Sequence, residues 1–362
     1  MLAPVEYYYP ETRIEKTFLD KLLALGYFRT ANYMLRTRVM LYNSELYNLF
    51  HIRYHLNTYQ FPKSLRKLYN KNIKHFYHKI SPFVNTKEKE FLFSKHQVRF
   101  KGSNTSSLHK YLFDCENFSL FNTYQVEIFD KSTNQLVAYS IFDIGTNSLA
   151  SILGIFDSRY EAFSLGLYSM ILEVQYGKEQ NFNYYYPGYI ADKPSPFNYK
   201  TRLGKRPEYY NWFDDTWYAL DDIEKESKVW DYYNSQLAIA EDWLKTNNIP
   251  YIKTRNPYYY NDYYYAGNMS LSSIEQLLIL DFSIPETYFI VEYNPTKNCI
   301  IIASIEPNIL NEDEALSIND LLQNNIWKTL MLYKHPIYFA ENAKDIKLIL
   351  TALKKNKTNK HE

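Results

Sequence analysis

The sequence predicts an α+β fold: a mixed, largely antiparallel sheet crossed by one helix. Three observations carry that expectation. Residues 124–129 and 135–144 alternate in hydropathy around the polar turn 131–134, the pattern of a β-hairpin, and residues 147–156 continue as a third proline-free strand. Residues 161–180 then place Phe163, Leu167, Met170, Ile171 and Val174 on one stripe at helical spacing. Residues 182–187 follow as a short buried strand, so the order β-β-β-α-β closes with a crossover.

Around this core, Phe18, Leu19, Leu22, Leu23 and Leu25 fall at helical spacing, and Gly26 suits the cap that ends the helix. Residues 27–42 read as paired strands or a turn-rich segment, and residues 46–60 as an aromatic, strand-like one. Ser64 precedes a helix-like run, and residues 88–100 are helical in part before a polar loop at 101–107. Beyond Trp217 the acidic cluster Asp221, Asp222, Glu224 and Glu226 marks a change in composition. Residues 230–246 read as a helix, and the tyrosine-dense residues 251–265 as a surface loop or edge segment. A second hairpin is expected over residues 287–305, with its turn at 294–298, and Asn342 caps a final helix reaching Lys355. The chain thus divides into a basic N-terminal α/β region (1–85), a core (86–220) and a C-terminal α+β extension (221–362).

The composition is that of a soluble globular chain: 362 residues, 22% charged, with a net charge of +1. Tyrosine is abundant at 38 copies and glycine scarce at 9, so each ring adds apolar area and a hydroxyl that needs a partner. Cys115 and Cys299 are far apart and cannot by themselves form a cysteine-cluster metal site, so no metal or cofactor is expected, and a reduced, cytoplasmic setting fits. Residues 1–10 lack the features of a signal peptide. No apolar run approaches the ~20 residues that cross a bilayer, so no membrane partner is expected. Oligomeric state is not legible.

Residues 51–87 contain no Asp or Glu, while Lys63, Arg66, Lys67, Lys71 and Lys74 fall three or four apart on a helix. That cationic face is either simply solvated or meets a polyanion backbone, where cations displace counterions.

Ser164-Leu-Gly-Leu-Tyr168, Tyr184-Tyr-Tyr-Pro-Gly-Tyr-Ile190 and Tyr199-Lys200 resemble core motifs of the aminoacyl-tRNA–protein transferases, the arginyltransferase group and its bacterial leucyl-transferring relatives. Glu90-Phe-Leu-Phe93 with His96, Phe142-Asp143, Phe156-Asp157 and Arg206-Pro-Glu208 with Trp212 resemble further family positions in the same order. Lys63-Ser-Leu-Arg-Lys67 and Lys71-Asn72 resemble the family's basic motif, and the similarity spans roughly residues 20–220. The resemblance implies a core like that of the GNAT acyltransferases. It also implies transfer of arginine or leucine from aminoacyl-tRNA to the N-terminal amine of a protein that begins with Asp, Glu or an oxidised Cys, marking it for degradation. Three departures stand out: residues 43–49 lack the family's N-terminal cysteines, Pro187 replaces a leucine, and Phe197 replaces a methionine.

The implied reaction is aminolysis of an ester by an α-amine with a pKa of about 8, helped by a proton acceptor and by stabilisation of an oxyanion. Asp143, near the end of the second hairpin strand, is a candidate to orient or deprotonate the acceptor amine; a turn-forming role is the alternative. Ser164 and Gly166, near a helix start, are candidates to hold the tRNA terminus, with capping or close packing as the alternative. Tyr185 and Tyr189 are candidate tRNA contacts, Tyr189 by stacking on the terminal adenine, with core packing as the alternative. Lys200 is a candidate phosphate partner, and Arg66, Lys67 and Lys71 are candidate contacts to the tRNA backbone. Two other readings share this fold: a catalytically inactive paralogue that binds tRNA or peptide, and an acyl-CoA enzyme, against which the single glycine at the helix start argues.

Overall fold

The computed structural model describes residues 5–37, 39–42, 45–97, 105, 107–113, 120–211, 215–221, 229–256, 274–279, 288–294, 299–307, 332–340, 345, 347–348 and 351. Cys115, Trp212, Asp222, Glu224, Glu226, residues 257–265, the turn at 295–298 and Asn342 lie outside them. The chain forms two compact units, Val5–Glu226 and a second built from Ser227–Tyr265 and Met269–Glu362.

The first unit opens with β1 (Val5–Tyr8), α1 (Lys16–Ala24), β2 (Phe28–Thr30) and β3 (Tyr33–Thr37), the strands forming a small sheet in the order β1-β3-β2. Helix α1 buries Leu19, Leu22 and Leu23, and the chain turns away just beyond it at Gly26, where φ is +77°. The main sheet and its helices follow as β4 (Val39–Tyr42), β5 (Glu45–His55), α2 (Lys63–His75), β6 (Phe76–Pro82), α3 (Lys87–Gln97), α4 (Leu108–Phe113), β7 (Thr123–Asp130), β8 (Leu136–Ile144), β9 (Ser148–Phe156), α5 (Leu165–Glu179), β10 (Tyr184–Ala191), β11 (Glu208–Asn211) and β12 (Thr216–Ala219). Its strand order is β12-β11-β5-β10-β9-β8-β7-β6, with β4 paired to β5. Among the described strands of this sheet only β9 and β10 run parallel, as the crossover through α5 requires. The α+β class and the β-β-β-α-β order are those expected. Strand β5, from the first 85 residues, lies between β10 and β11, so the N-terminal segment completes the main sheet.

Helix α5 covers one face of this sheet, burying Leu167, Met170, Ile171 and Val174 beside Leu149, Phe142 and Ile190. It begins at Leu165, later than the hydrophobic stripe implies. Residues Ser158–Phe163 instead form a 3-10 turn, and Ser164 adopts φ 49°, which interrupts the helical path between the two. At its far end a Cβ on Gly177 would lie 2.4 Å from Leu149 and 2.8 Å from Leu56, so glycine lets the helix settle on the sheet.

The second unit contains α6 (Val229–Thr246), β13 (Tyr251–Asn256), β14 (Ile274–Ile279), β15 (Tyr288–Asn294), β16 (Cys299–Pro307) and β17 (Leu332–Ala340). The strands form an antiparallel sheet in chain order, with the expected hairpin at β15–β16 and the start of the tyrosine-dense segment as edge strand β13. Helix α6 packs against β14 and β15. Among the described residues, no helix is long and apolar enough to cross a membrane.

Because Leu149 and Leu56 are held in the main core, Gly177→Ala is expected to cost about 1–3 kcal/mol by overpacking. Urea unfolding measures this as a lower midpoint at unchanged slope.

Candidate active site

The parallel pairing of β9 and β10 covers only Tyr184–Tyr186 opposite Ser148–Ala150. Beyond it, β9 continues to Phe156 on β8 and β10 to Ala191 on β5, so the two strands part in a fork. Both strands carry a bulge at this level. On β10, Tyr186 and Pro187 stand opposite the single residue Arg53 of β5, and Gly188 follows with φ +96°. On β9, Ile152 is the extra residue between Ser151 and Leu153. A bulge bends and twists its strand, and Pro187 has no N–H to offer a neighbour. The fork admits solvent, because Gly154 is exposed in mid-strand and a Cβ built there would meet nothing closer than Ser169 Oγ at 3.8 Å.

The β10 arm carries two of the expected residues together. Tyr189 packs between Phe28 and Phe197, each with its ring centroid 5.2 Å away. Lys200 donates from Nζ to the Tyr189 carbonyl at 3.0 Å and lies 4.6 Å from the centre of its ring. A Cβ at position 188 would stand 3.0 Å from Nζ, so Gly188 makes room for this lysine as well as supplying the backbone angle. Lys200 retains some exposed surface, but the atoms packed around it push its pKa down to about 7. It comes from a second 3-10 turn, Asn198–Leu203, whose carbonyls at Lys200 and Leu203 accept from the Tyr54 and Tyr59 hydroxyls.

Two functional candidates are not visible in the sequence. His51 lies opposite Tyr189 on β5, buried beside Phe28, Tyr186 and Trp217. Burial, with Lys200 and Arg53 nearby, pushes its pKa down to about 3, so it is neutral, and its Nδ1 has no hydrogen-bond partner. Glu173 lies on the buried face of α5. Its Oε2 accepts from the Tyr185 hydroxyl at 2.8 Å, while Oε1 has no partner at hydrogen-bonding geometry. Burial pushes its pKa up to about 7, against the opposing influence of the nearby Ser140, Tyr185 and Ser151 hydroxyls. A carboxylate interrupting the stripe Met170-Ile171-Val174 is the available sequence signal.

The remaining expected residues divide. Tyr185 is fully buried and points at Glu173. Asp143 is also fully buried, near the end of β8 as expected, and paired with Thr123 and Ala150 within the sheet instead of lying in a turn. Its carboxylate accepts from Arg29 at 2.9 Å and from the Thr123 hydroxyl at 2.8 Å. Burial raises the Asp143 pKa and lowers that of Arg29, while each charge sustains the other. Ser164 precedes α5 without a side-chain cap, and a Cβ on Gly166 would make ordinary contact with Phe156 at 3.7 Å, so close packing does not demand glycine there. Arg66, Lys67 and Lys71 are exposed on α2. Lys71 Nζ reaches the Ala162 carbonyl at 3.0 Å and buried Asn72 reaches that of Phe163 at 2.8 Å, which ties the basic helix to the entrance of α5. Among the described residues, no group of His, Cys, Asp and Glu is arranged to hold a metal ion.

Residues 64–208 match the family described as "Arginine-tRNA-protein transferase, C terminus". The chain is 27% identical over 202 residues to an aspartate/glutamate leucyltransferase of Campylobacter jejuni, covering 54% of this chain and 81% of that protein. It is 24% identical over 231 residues to a leucyltransferase of the same description from Leptospira interrogans, covering 62% and 87%. To arginyl-tRNA–protein transferase 1 of Saccharomyces cerevisiae it is 25% identical over 160 residues, covering 37% and 32%. Among solved structures, FemX overlaps 53% of this chain and 65% of its own at 10% identity and a TM-score of 0.32.

Two outcomes follow from the buried charges. Asp143→Ala strands Arg29 and is expected to cost about 3–5 kcal/mol in chemical denaturation, while the double change Arg29→Met with Asp143→Leu costs less. Glu173 holds its proton up to about 7 when folded, against 4.5 for a free carboxyl. Between those values the native state binds more protons than the unfolded one, so this group's contribution to stability falls as pH rises. Glu173→Gln is expected to gain stability relative to the parent across that window, measured by urea unfolding at a series of pH values.

Proposed function

We infer, from a chain that over residues 64–208 belongs to the arginine-tRNA–protein transferase family, that it moves an amino acid from aminoacyl-tRNA to the N-terminal amine of an acceptor protein. The observation that carries this reading is the open fork between β9 and β10, bordered by Tyr189, Lys200 and the entrance of α5 and lying inside the matched segment.

The charged 3′ end of the tRNA enters that fork. Exposed Arg66 and Lys67 and the neighbouring Lys71 meet the phosphate backbone, and α2 is joined to the loop that leads into α5. The first N–H groups of α5, beyond Ser164 and around Gly166, favour a phosphate at the helix entrance. Half-buried Phe197, packed on Tyr189, offers an aromatic face for the terminal adenine, with stacking contributing about 1–3 kcal/mol. Lys200, with its pKa lowered to about 7, has no carboxylate bonded to it among the described residues, and an anionic group at the mouth of the fork would hold it protonated. The ester is already activated, so holding amine and carbonyl together supplies much of the rate. Asp143 acts indirectly, since it fixes Arg29, whose charge is felt by Tyr111, and Tyr111 in turn influences Tyr189.

The relatives matched over most of their length are named aspartate/glutamate leucyltransferases, which favours leucine as the donor residue and an acidic first residue in the acceptor. The test is transfer of radiolabelled leucine or arginine, each from its charged tRNA, to peptides beginning with Asp or Glu. Leucine transfer is the expected result, and folded protein that transfers neither amino acid overturns the reading. Replacing Arg66 and Lys67 by Ala is expected to weaken tRNA binding. The slope of log affinity against log salt is expected to fall by about 1 for each phosphate these side chains neutralise in the parent.

A further inference from the structure

We propose that Glu173, acting through the Ser151 hydroxyl, takes the proton from the ammonium group of the acceptor and so generates the attacking amine. The proposal rests on the transfer reading above and assigns that same site its proton acceptor.

The geometry is a convergence of four elements on one buried point. Glu173 projects from α5, Tyr185 from β10, Ser140 from β8 and Ser151 from β9, and the hydroxyls of all three neighbours act on the carboxylate. Glu173 is fully buried in a face otherwise made of Leu167, Met170, Ile171 and Val174. A carboxyl there is costly unless its oxygens are bonded, and an apolar residue would serve the core better. Yet Glu173 Oε1 has no partner at hydrogen-bonding geometry, and neither has the Ser140 hydroxyl. The pairing chemistry is therefore incomplete at a point adjoining the fork.

Ser151 connects that point to solvent. It is the first β9 residue after the β10 pairing ends at Ala150, it borders the bulge at Ile152, and it is half-buried. The titratable groups facing Glu173 are Tyr185 from β10 and Tyr199 from the 3-10 turn that bears Lys200, while β8 and β9 contribute only serine hydroxyls. No cation stands among these neighbours, so the carboxyl pKa is set by burial, at about 7. That value suits a base working near neutrality.

A proton of the acceptor ammonium passes to Ser151 Oγ as the Ser151 hydroxyl proton passes to the Glu173 carboxylate, leaving a neutral amine and a neutral carboxylic acid. The amine attacks the ester carbonyl and forms the C–N bond. The proton on that nitrogen goes to the ribose oxygen as the C–O bond breaks. Glu173 then returns its proton to solvent.

The test is single-turnover transfer to an Asp-initiated peptide from about pH 5.5 to about pH 9, with both leucyl- and arginyl-tRNA. The parent protein is expected to gain rate with a midpoint of about 7. Glu173→Gln is expected to lose roughly 100-fold near neutrality, and its remaining rate to rise with the acceptor amine, near pH ~8. Ser151→Ala is expected to lose about 10-fold or more with the same displaced midpoint, whereas Lys200→Met keeps the original midpoint. A Glu173→Gln protein with parental rate and midpoint overturns the proposal while leaving the transfer reading intact. If that variant does not fold, Ser151→Ala decides, and a parental rate and midpoint in it overturns the proposal equally. A parent that transfers neither amino acid removes the reading and this proposal together.

Discussion

The parting of β9 from β10 is the constraint on which the rest of this molecule depends. A parallel pair in mid-sheet normally stays bonded along its length, with both faces covered. Here Pro187 removes a donor and an extra residue enters each strand at the same level, so the ladder ends after three pairs. β8 and β5 still hold the outer sides of the two arms, so the gap opens without loosening the sheet around it. Helix α5 lies behind the gap and can present a side chain to it. The turn bearing Lys200 lies at its β10 side, and glycine at 188 leaves the space that lysine occupies.

The abundance of tyrosine has a structural account in the same region. Tyr54, Tyr185, Tyr186 and Tyr210 are among the largest fully buried side chains. A buried tyrosine fills core volume but must satisfy its hydroxyl, so it pins whatever it bonds. Tyr54 and Tyr59 pin the carbonyls of the Lys200 turn, Tyr185 pins Glu173, and Tyr210 bonds Asp215. The ion pair of Arg29 and Asp143 works in the same way at larger scale. The guanidinium also donates to the Ala31 and Leu112 carbonyls and lies over Phe121, so one buried cation joins the small N-terminal sheet, α4 and the β7–β8 hairpin. Such a pair is weak evidence for net stability, but leaving either charge alone is severe, which favours a single arrangement of those elements.

Local pattern is enough for the elements whose signals are local. The β7–β8 hairpin and the proline-free β9 are expected as strands, α5 carries an apolar stripe, and Gly26 lies just beyond a helix end as its spacing implies, although β8 is buried along its whole length. Strands β6, β11 and β12 are not legible, because short polar or aromatic segments become strands only when a neighbour supplies the ladder. The hydrophobic stripe starts α5 too early because an apolar residue at 163 suits a 3-10 turn as well as an α-helix, and the left-handed Ser164 leaves no periodic trace. At the site, motif resemblance brings Tyr189 and Lys200 together. His51 and Glu173 escape sequence reasoning because their partners lie on other elements, and nothing within a few residues of either one reveals the contact.

The two substituted motif positions bear directly on how the fork is built. Leucine at position 187 would restore an N–H to the bulged segment, whereas proline removes that donor where β10 leaves β9. Its fixed φ also suits an extended strand entering a bulge, just before the glycine that takes the left-handed angle. Phe197 in place of methionine sets its ring at a tilt beside Tyr189, with its centre 5.9 Å from the Lys200 ammonium, so a rigid ring stands where the motif has a flexible thioether. Each substitution therefore preserves a geometric role while changing the side chain that performs it. Proline and glycine thus shape the bulge where β10 leaves β9, and the Phe197 ring packs on Tyr189, so both positions act on the arm whose carbonyl at Tyr189 holds the Lys200 ammonium.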